Sequence, residues 1–357
     1  MVKRFLAAIL FYTLICVSYS YSQNIIDFRD PKIHYMGRIE MKTDAAELTW
    51  TASSVIINFT GKSAKATLRD DSGNDRVTVI IDDSVRTIIQ PTQDKKEYVL
   101  ASHLPAGKHT LQLFKRTEYD MGKLYFYNFN IDGPLLNPPA PKHRIEFYGN
   151  SITCGFAIED KEGKDRGTAE FENGYKSYAS ITARYLDADV NVIAKSGIGV
   201  IISWFDYVMP DIYNRTAAND PNTLWNFSKY TPEVVVINLF QNDSWLTKNF
   251  EHEQFKKHFG NTPPTPEFIV KAYRDFISAI RSKYPDAKII CALGNMDATK
   301  TGSPWPGYIE KAVAQLKDKA IFTHFFPYKN TGGHPSEKEQ AAMAKDLTAF
   351  IKSKTKW

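Results

Sequence analysis

The sequence predicts two domains, an all-β sandwich followed by an α/β domain in which helices cover both faces of a parallel sheet. The chain has 357 residues, about twice the length of a typical domain. Short strand-like segments fill its first part, whereas continuous apolar strands alternate with amphipathic helices in its second part. A segment with four prolines in ten residues, 132–141, separates the two patterns.

The first part, residues 23–133, contains short runs of β-branched and aromatic residues that are separated by turns rich in Gly, Asp and Ser. This spacing is typical of an antiparallel sandwich, and we expect a jelly roll without a long helix. The predicted strands are 55–59, 64–68, 77–81, 97–100, 109–114 and 124–131.

Residues 134–141 form the predicted linker. Proline fixes φ and lacks a backbone N–H, so a proline-rich segment is semi-rigid and joins neither sheet easily. We therefore expect the β domain to end at residue 133 and the second domain to span 142–357.

The second part has the pattern of a doubly wound parallel sheet, because continuous apolar strands indicate burial on both faces. The predicted strands are 144–148, 190–194, 234–239 and 288–293, and the predicted helices are 175–186, 267–283, 306–316 and 336–353.

The N-terminus has the features of a secretory signal peptide. Lys3 and Arg4 precede a 13-residue apolar run, 5–17, which is too short to span a bilayer comfortably. Small residues then alternate with tyrosine up to Ser22. We expect cleavage of residues 1–22 and export, secreted or periplasmic, in soluble form.

Charge and composition exclude several partners. Without Lys3 and Arg4, 45 basic residues become 43 against 40 acidic ones, a net charge of +3 that is spread along the chain. Without a basic block, we expect no nucleic-acid partner, and without another long apolar stretch no membrane insertion. We expect a monomer with no metal or organic cofactor. Cys154 and Cys291 could pair, but two separately buried thiols are favoured.

Four short motifs lie beyond the carboxyl ends of the predicted strands, where sheets of this kind have their ligand-binding cleft. Each alone is a common turn or cap, but together they hold the residue types of nucleophilic catalysis. A serine becomes a nucleophile when a histidine takes its proton, and backbone N–H groups or an Asn amide can stabilise the oxyanion. The motifs are Gly149-Asn150-Ser151, Ser196-Gly197-Ile198-Gly199, Phe240-Gln241-Asn242-Asp243 and Gly332-Gly333-His334.

This set resembles the SGNH (GDSL-type) hydrolase superfamily, and the two-domain layout resembles carbohydrate esterase family 2. The resemblance implies that Ser151 is the nucleophile and His334 the general base. It implies an oxyanion hole formed by Ser151, Gly197 and Asn242. It also implies removal of acetyl groups from plant polysaccharides.

One departure from the superfamily concerns the group that orients the histidine. The usual acid three residues before it is replaced by Thr331. We expect a backbone carbonyl to orient His334, which would give a Ser–His dyad, as family 2 esterases can use. The alternatives are the Asn330 side chain and an acid from another loop, such as Asp297.

Aromatic residues near these motifs are candidates for sugar contact. Trp204, Trp245 and Trp305 follow strand ends or lie in the loops beyond them, where an indole face could stack on a pyranose ring, although such residues are more often partly buried packing aromatics. Phe240 and Gln241 replace the Gly-Thr that is common in the superfamily, and we expect them to narrow or reshape the cleft.

The sequence thus predicts an exported serine esterase that removes O-acetyl groups from xylan, glucomannan or a similar carbohydrate through an acyl-enzyme. Its activity should fall as His334 becomes protonated in acid. One alternative is an esterase for another acyl ester, such as a lipid or an acetylated sialic acid. Another is a carbohydrate-binding protein whose hydrolase domain is inactive.

Overall fold

The structure, a computed structural model, describes residues 24–357. The predicted signal peptide, residues 1–22, lies outside the described residues.

Eleven strands between residues 24 and 131 form two antiparallel sheets. One has the order β3-β4-β11-β6-β9, with β1 also paired to β11, and the other has the order β2-β5-β10-β7-β8. The strands are β1 (Asn24–Asp27), β2 (His34–Met36), β3 (Ile39–Met41), β4 (Ala46–Leu48), β5 (Ser54–Thr60), β6 (Ala64–Asp70), β7 (Val77–Ile81), β8 (Ser84–Ile89), β9 (Lys96–Ala101), β10 (Lys108–Lys115) and β11 (Leu124–Ile131).

The eight strands β4 to β11 have the connectivity of a jelly roll. One sheet contains β4, β11, β6 and β9 in that order, and the other contains β5, β10, β7 and β8. The first of the eight therefore pairs with the last and the second with the seventh, as two interlocked Greek keys require. The inward side chains, such as Phe59, Leu68 and Phe126, form one apolar core between the sheets. The predicted sandwich and jelly roll are confirmed.

The second part is a five-stranded parallel sheet of order β13-β12-β14-β15-β16 with helices on both faces. Its strands are β12 (His143–Gly149), β13 (Ala188–Ala194), β14 (Val234–Asn238), β15 (Lys288–Leu293) and β16 (Ile321–Phe325). Its helices are α1 (Ser151–Cys154), α2 (Tyr178–Tyr185), α3 (Met209–Ile212), α4 (Gln241–Leu246), α5 (Glu253–Phe259), α6 (Pro266–Lys283), α7 (Trp305–Leu316) and α8 (Glu337–Lys354).

This arrangement confirms the doubly wound sheet. It also contains β16, an edge strand that the sequence did not predict because most of its residues are only half buried. Helices α6 and α7 pack on one face, where Ile277 and Ile309 are buried. Helices α2 and α8 pack on the other, where Ala183 and Leu347 are buried. The strand order reverses at β12 and β14, so the cleft that such sheets use for ligands lies beyond the ends of these two strands.

The two parts are in direct contact. The guanidinium of Arg38, the residue before β3, donates to Glu146 Oε1 at 3.1 Å and to the Tyr148 hydroxyl at 3.0 Å, and both acceptors lie on β12. The Trp50 indole donates to the Thr216 carbonyl at 2.8 Å. The jelly roll is therefore packed against the parallel sheet by buried polar contacts. The domain limits at 133 and 142 remain a prediction.

The two cysteines of the described part, Cys154 and Cys291, are free and buried in separate elements, which confirms the favoured expectation. Among residues 24–357, no helix combines the length and the apolar character that a membrane crossing needs.

Candidate active site

Ser151 stands where the chain leaves the central strand β12. Asn150 caps the short helix α1, and its side-chain oxygen accepts the Ile152 N–H at 3.1 Å. Ser151 is the first residue of this helix, so its backbone N–H has no acceptor within the helix and is available to a substrate oxygen. Its Oγ lies 2.8 Å from His334 Nε2.

A carboxylate contacts the other nitrogen of the same imidazole. Both oxygens of Asp165 lie 2.9 Å from His334 Nδ1, and one of them also accepts the His334 backbone N–H at 2.8 Å. Because a carboxylate only accepts, the neutral imidazole carries its proton on Nδ1 and leaves Nε2 free to accept from Ser151. This is the geometry of a Ser–His–Asp triad.

The contact contradicts the expected Ser–His dyad and matches the alternative of an acid from another loop, although that acid is Asp165 and not Asp297. Thr331 at the expected acid position donates to Glu339 at 2.6 Å, and Asp297 accepts the Trp245 indole N–H at 3.1 Å. The carboxylate comes instead from the loop between α1 and α2, far from His334 in the chain.

The surroundings of Asp165 favour its ionised form. Partial burial acts to raise its pKa, but the hydrogen bonds from the side chain and backbone of His334 outweigh burial and hold the pKa below its ordinary value. The ring of Phe156 lies 4.4 Å from the imidazole, measured between centroids, and shields the pair on one side.

Gly197 and Asn242, the other predicted oxyanion donors, belong to one hydrogen-bonded group beyond β13 and β14. Gly197 has φ +81°, a conformation that favours glycine. Asn242 is 2% exposed, and its Nδ2 donates to the Ile198 carbonyl at 2.8 Å. Its Oδ1 accepts the Trp204 indole N–H at 3.0 Å. These contacts set the orientation of the amide, and Nδ2 retains a second proton for a substrate.

Asp243 anchors the loop that contains Gly197. Its carboxylate accepts the backbone N–H groups of Val200 and Ile201 at 2.9 and 2.8 Å. A Cβ on Gly199 would lie 2.6 Å from this carboxylate, which explains the second glycine of the motif. Burial raises the pKa of Asp243 to about 6, although the backbone hydrogen bonds act against that rise.

The three predicted sugar-contact tryptophans have different surroundings. Trp204 is 45% exposed, and its Cδ1 would lie 3.3 Å from a Cβ on Gly197, so it stands beside the proposed oxyanion hole. Trp245 is half-buried and bonded to Asp297. Trp305 is only 2% exposed, so its predicted role in sugar contact is wrong.

Phe240 and Gln241 also face away from the cleft, contrary to expectation. The Phe240 ring is buried against Tyr273 and Trp305, with centroids 4.5 and 4.9 Å away. The side-chain oxygen of Gln241 accepts the Ala298 N–H at 3.2 Å. Both residues stabilise the domain interior and do not narrow the cleft.

A cleft of about 770 Å³ lies beside Asp165 and His334. Half of its lining residues are Asp, Glu or Lys, among them Glu159, Lys176 and Glu337, whereas Ser151, Gly197 and Asn242 are not part of the lining.

Two family models match the chain. "Carbohydrate esterase 2 N-terminal" matches residues 35–139, and "GDSL-like Lipase/Acylhydrolase family" matches residues 147–346. The first match coincides with most of the jelly roll and the second with the parallel sheet and the site.

Two curated proteins are similar over most of this chain. "Cellulase/esterase CelE" of Acetivibrio thermocellus is 34% identical over 345 residues, which are 93% of this chain but 40% of that protein. The chain thus spans less than half of that relative. "Acetylxylan esterase / glucomannan deacetylase" of Cellvibrio japonicus is 27% identical over 349 residues, 94% of this chain and 92% of that one.

A solved structure of a family two carbohydrate esterase from Clostridium thermocellum, in complex with cellohexaose, has the same two-domain fold. Its TM-score is 0.80 at 34% identity, and the alignment covers 90% of this chain and 98% of that one. With both domains matched at this identity, the chain belongs to carbohydrate esterase family 2.

Proposed function

We propose that this chain is an exported serine esterase that removes O-acetyl groups from plant-type polysaccharides or oligosaccharides, with xylan and glucomannan as the leading substrates. The observation that carries the proposal is the continuous contact from Ser151 through His334 to Asp165. The name of the Cellvibrio relative supports these substrates. Export rests on the signal-peptide features of residues 1–22.

In the first half-reaction, Ser151 Oγ attacks the acetyl carbonyl while its proton passes to His334 Nε2. The negative charge that develops on the carbonyl oxygen is stabilised by N–H groups of Ser151 and Gly197 and by the Asn242 amide. The ionised Asp165 stabilises the imidazolium that forms. Collapse of the tetrahedral intermediate breaks the bond to the sugar oxygen, which takes the proton from Nε2 and leaves as an alcohol.

In the second half-reaction, water attacks the acetyl group on Ser151 and gives a proton to His334. The second tetrahedral intermediate expels Ser151 Oγ, which recovers that proton, and acetic acid is released. The net reaction consumes one water and releases one alcohol and one acetic acid.

The cleft next to the triad favours a carbohydrate over a lipid ester. The charged part of its lining, which includes Glu159 and Lys176, offers hydrogen bonds to hydroxyl groups. Trp204 adds an exposed aromatic face beside Gly197, where it could stack on a sugar ring.

A second candidate function is the binding of unmodified β-glucan chains at the same site. The cellohexaose complex of the Clostridium thermocellum structure supports it, since that ligand carries no acetyl group to be removed. The two functions can coexist in one cleft.

The test compares acetate release from acetylated xylan, glucomannan and pectin by the wild type, Ser151→Ala and Ser180→Ala. We expect Ser151→Ala to reduce kcat for acetate release on the order of 10⁶-fold, because it removes the nucleophile. Ser180 is a buried serine of α2 with no contact to the triad, so its variant should stay within about twofold of the wild type. Equal activity of the wild type and Ser151→Ala on every ester would contradict the proposal. Binding of cellohexaose by that inactive variant would then favour the second candidate.

A further inference from the structure

We propose that Glu118, a residue of the first domain, is a positioning residue for the oxyanion hole of the second domain. The inference rests on the proposed function, because it names a part of that same site. It also gives the jelly roll a role in catalysis.

The direct contact is a hydrogen bond across the domain junction. The backbone N–H of Ser196 donates to Glu118 Oε2 at 2.7 Å, and Ser196 immediately precedes Gly197. The Cys154 thiol lies 3.8 Å from the same carboxyl oxygen. Cys154 ends the helix that Ser151 begins, so one carboxyl group contacts both the oxyanion loop and the nucleophile helix.

Glu118 is itself held rigidly. It is 1% exposed, and its backbone N–H donates to the buried carboxyl group of Glu172. The next two residues also contact the second domain, since Tyr119 bonds the Tyr207 hydroxyl and Asp120 pairs with Lys195. Three consecutive residues of the first domain therefore contact the segment 195–207, which contains Gly197.

Gly197 needs such support because it has no side chain with which to hold its own position. On its C-terminal side, the loop is fixed by the hydrogen bonds from Val200 and Ile201 to Asp243. On its N-terminal side, the Ser196 contact to Glu118 has the corresponding role. An oxyanion donor must lie within about 2.7–3.1 Å of the developing charge. A misplacement of about 1 Å can cost on the order of 100-fold in rate.

The test uses the full chain with Glu118→Ala, Glu118→Gln and, as control, Glu47→Ala. Glutamine keeps an oxygen that can accept the Ser196 N–H, whereas alanine removes the acceptor. Glu47 is also a buried carboxyl of the jelly roll, but it pairs with Lys42 of the same domain. With 4-nitrophenyl acetate, we expect Glu118→Ala to lower kcat about 10- to 100-fold with little change in KM. Glu118→Gln and Glu47→Ala should stay within about threefold of the wild type.

Inhibition by phenylboronic acid separates positioning from partial unfolding. The boronate forms a tetrahedral adduct with a serine nucleophile, so its Ki should rise by about the same factor as kcat falls. If the substitution only reduced the fraction of folded protein, the apparent kcat would fall while Ki and KM stayed unchanged. That result would overturn the inference. If Glu118→Ala does not fold, Glu118→Asp takes its place, because its side chain is shorter by one methylene. We expect it to show a smaller fall in kcat and a smaller rise in Ki.

Hydrogen exchange tests the contact without reference to activity. We expect faster exchange in the peptide 195–204 of Glu118→Ala than in the wild type, with no change in helix α6. Unchanged exchange in that peptide overturns the inference whatever the activity. Faster exchange in a protein that hydrolyses no ester supports the positioning contact and contradicts the proposed function alone.

Discussion

Asp165 is the residue that distinguishes this site most sharply from the one expected from the sequence. We predict that Asp165→Asn lowers kcat for acetate release by about 10³- to 10⁴-fold, as replacement of the acid does in serine proteases. An asparagine can offer its amide N–H to Nδ1 of His334, which favours the tautomer that cannot accept the Ser151 proton. Steady-state kinetics with an acetylated substrate measures this loss. Asp297→Asn, which alters the acid bonded to Trp245, is the matched control and should change kcat by less than about threefold.

The pH dependence of stability gives a second measurement of the same contact. The pKa of Asp165 is lower in the folded state than its ordinary value of about 3.9. The contact with His334 therefore adds to the free energy of unfolding at a pH above about 3.9. This contribution disappears as the pH falls through the lowered pKa. In urea unfolding, the difference between the wild type and Asp165→Asn should stay constant from about pH 8 to pH 5 and shrink below about pH 4. A difference that vanished already near pH 6 would contradict this assignment.

Trp204 combines two roles that a pair of substitutions can separate. Trp204→Phe removes the N–H that orients Asn242 but keeps an aromatic face, and Trp204→Ala removes both. We predict that Trp204→Phe lowers kcat about tenfold, equivalent to about 1.4 kcal/mol of transition-state stabilisation, with little change in KM. Trp204→Ala should also raise KM for a polysaccharide. The comparison variant Trp245→Phe removes another indole N–H, and an equal effect of the two phenylalanine variants would argue against a special role of Trp204.

Sequence motifs could single out Ser151 and His334 because each stands in a short pattern next to a strand or helix end. Asp165 could not be found in this way. It lies in a loop of mixed charges, 160–166, where nothing in the pattern separates it from a solvated carboxylate. Only the three-dimensional path of this loop brings it to His334.

The start of helix α4 carries backbone strain two residues before Asn242, the proposed oxyanion donor. Phe240 has φ +80°, a left-handed conformation that costs an L-residue about 1–2 kcal/mol. Its buried ring offsets that cost through contacts with Tyr273 and Trp305, since burial of a phenylalanine contributes about 3–5 kcal/mol relative to alanine. This chain therefore holds a non-glycine residue in a left-handed conformation by packing its ring.

This strain predicts an inverted order of stability for two substitutions. Phe240→Gly and Phe240→Ala both lose the ring, but only glycine adopts the left-handed conformation without cost. Phe240→Gly should therefore be more stable than Phe240→Ala by about 1–2 kcal/mol in urea unfolding. At Phe255, buried in helix α5, the order should be the usual one, with glycine less stable than alanine by about 1 kcal/mol. The same order at both positions would mean that the Phe240 backbone is not strained.

Periodicity could predict the jelly roll, the parallel sheet and the order in which they occur in the chain. The contacts between them could not be predicted, because Arg38, Trp50 and Glu118 lie in short segments without a motif. An arginine or a glutamate in such a segment is ordinarily solvated. Here each is buried against the other domain, and their partners are far away in the chain.

The buried pair of Arg38 and Glu146 predicts that the two parts of the molecule unfold as one unit. Both side chains are fully buried, so removing one leaves the other charge without compensation, which typically costs about 3–5 kcal/mol. We predict that Arg38→Met lowers the free energy of unfolding by about this amount while a single transition persists in urea.

Three further variants test this interpretation of the Arg38–Glu146 pair. The double variant Arg38→Met/Glu146→Gln should lose clearly less than the sum of the two single variants, because no uncompensated charge remains. Lys142→Met, which breaks an exposed pair with Asp187, should cost less than about 1 kcal/mol. Two separate transitions in the wild type, or a cost for Arg38→Met as small as for Lys142→Met, would show that this buried contact does not couple the domains.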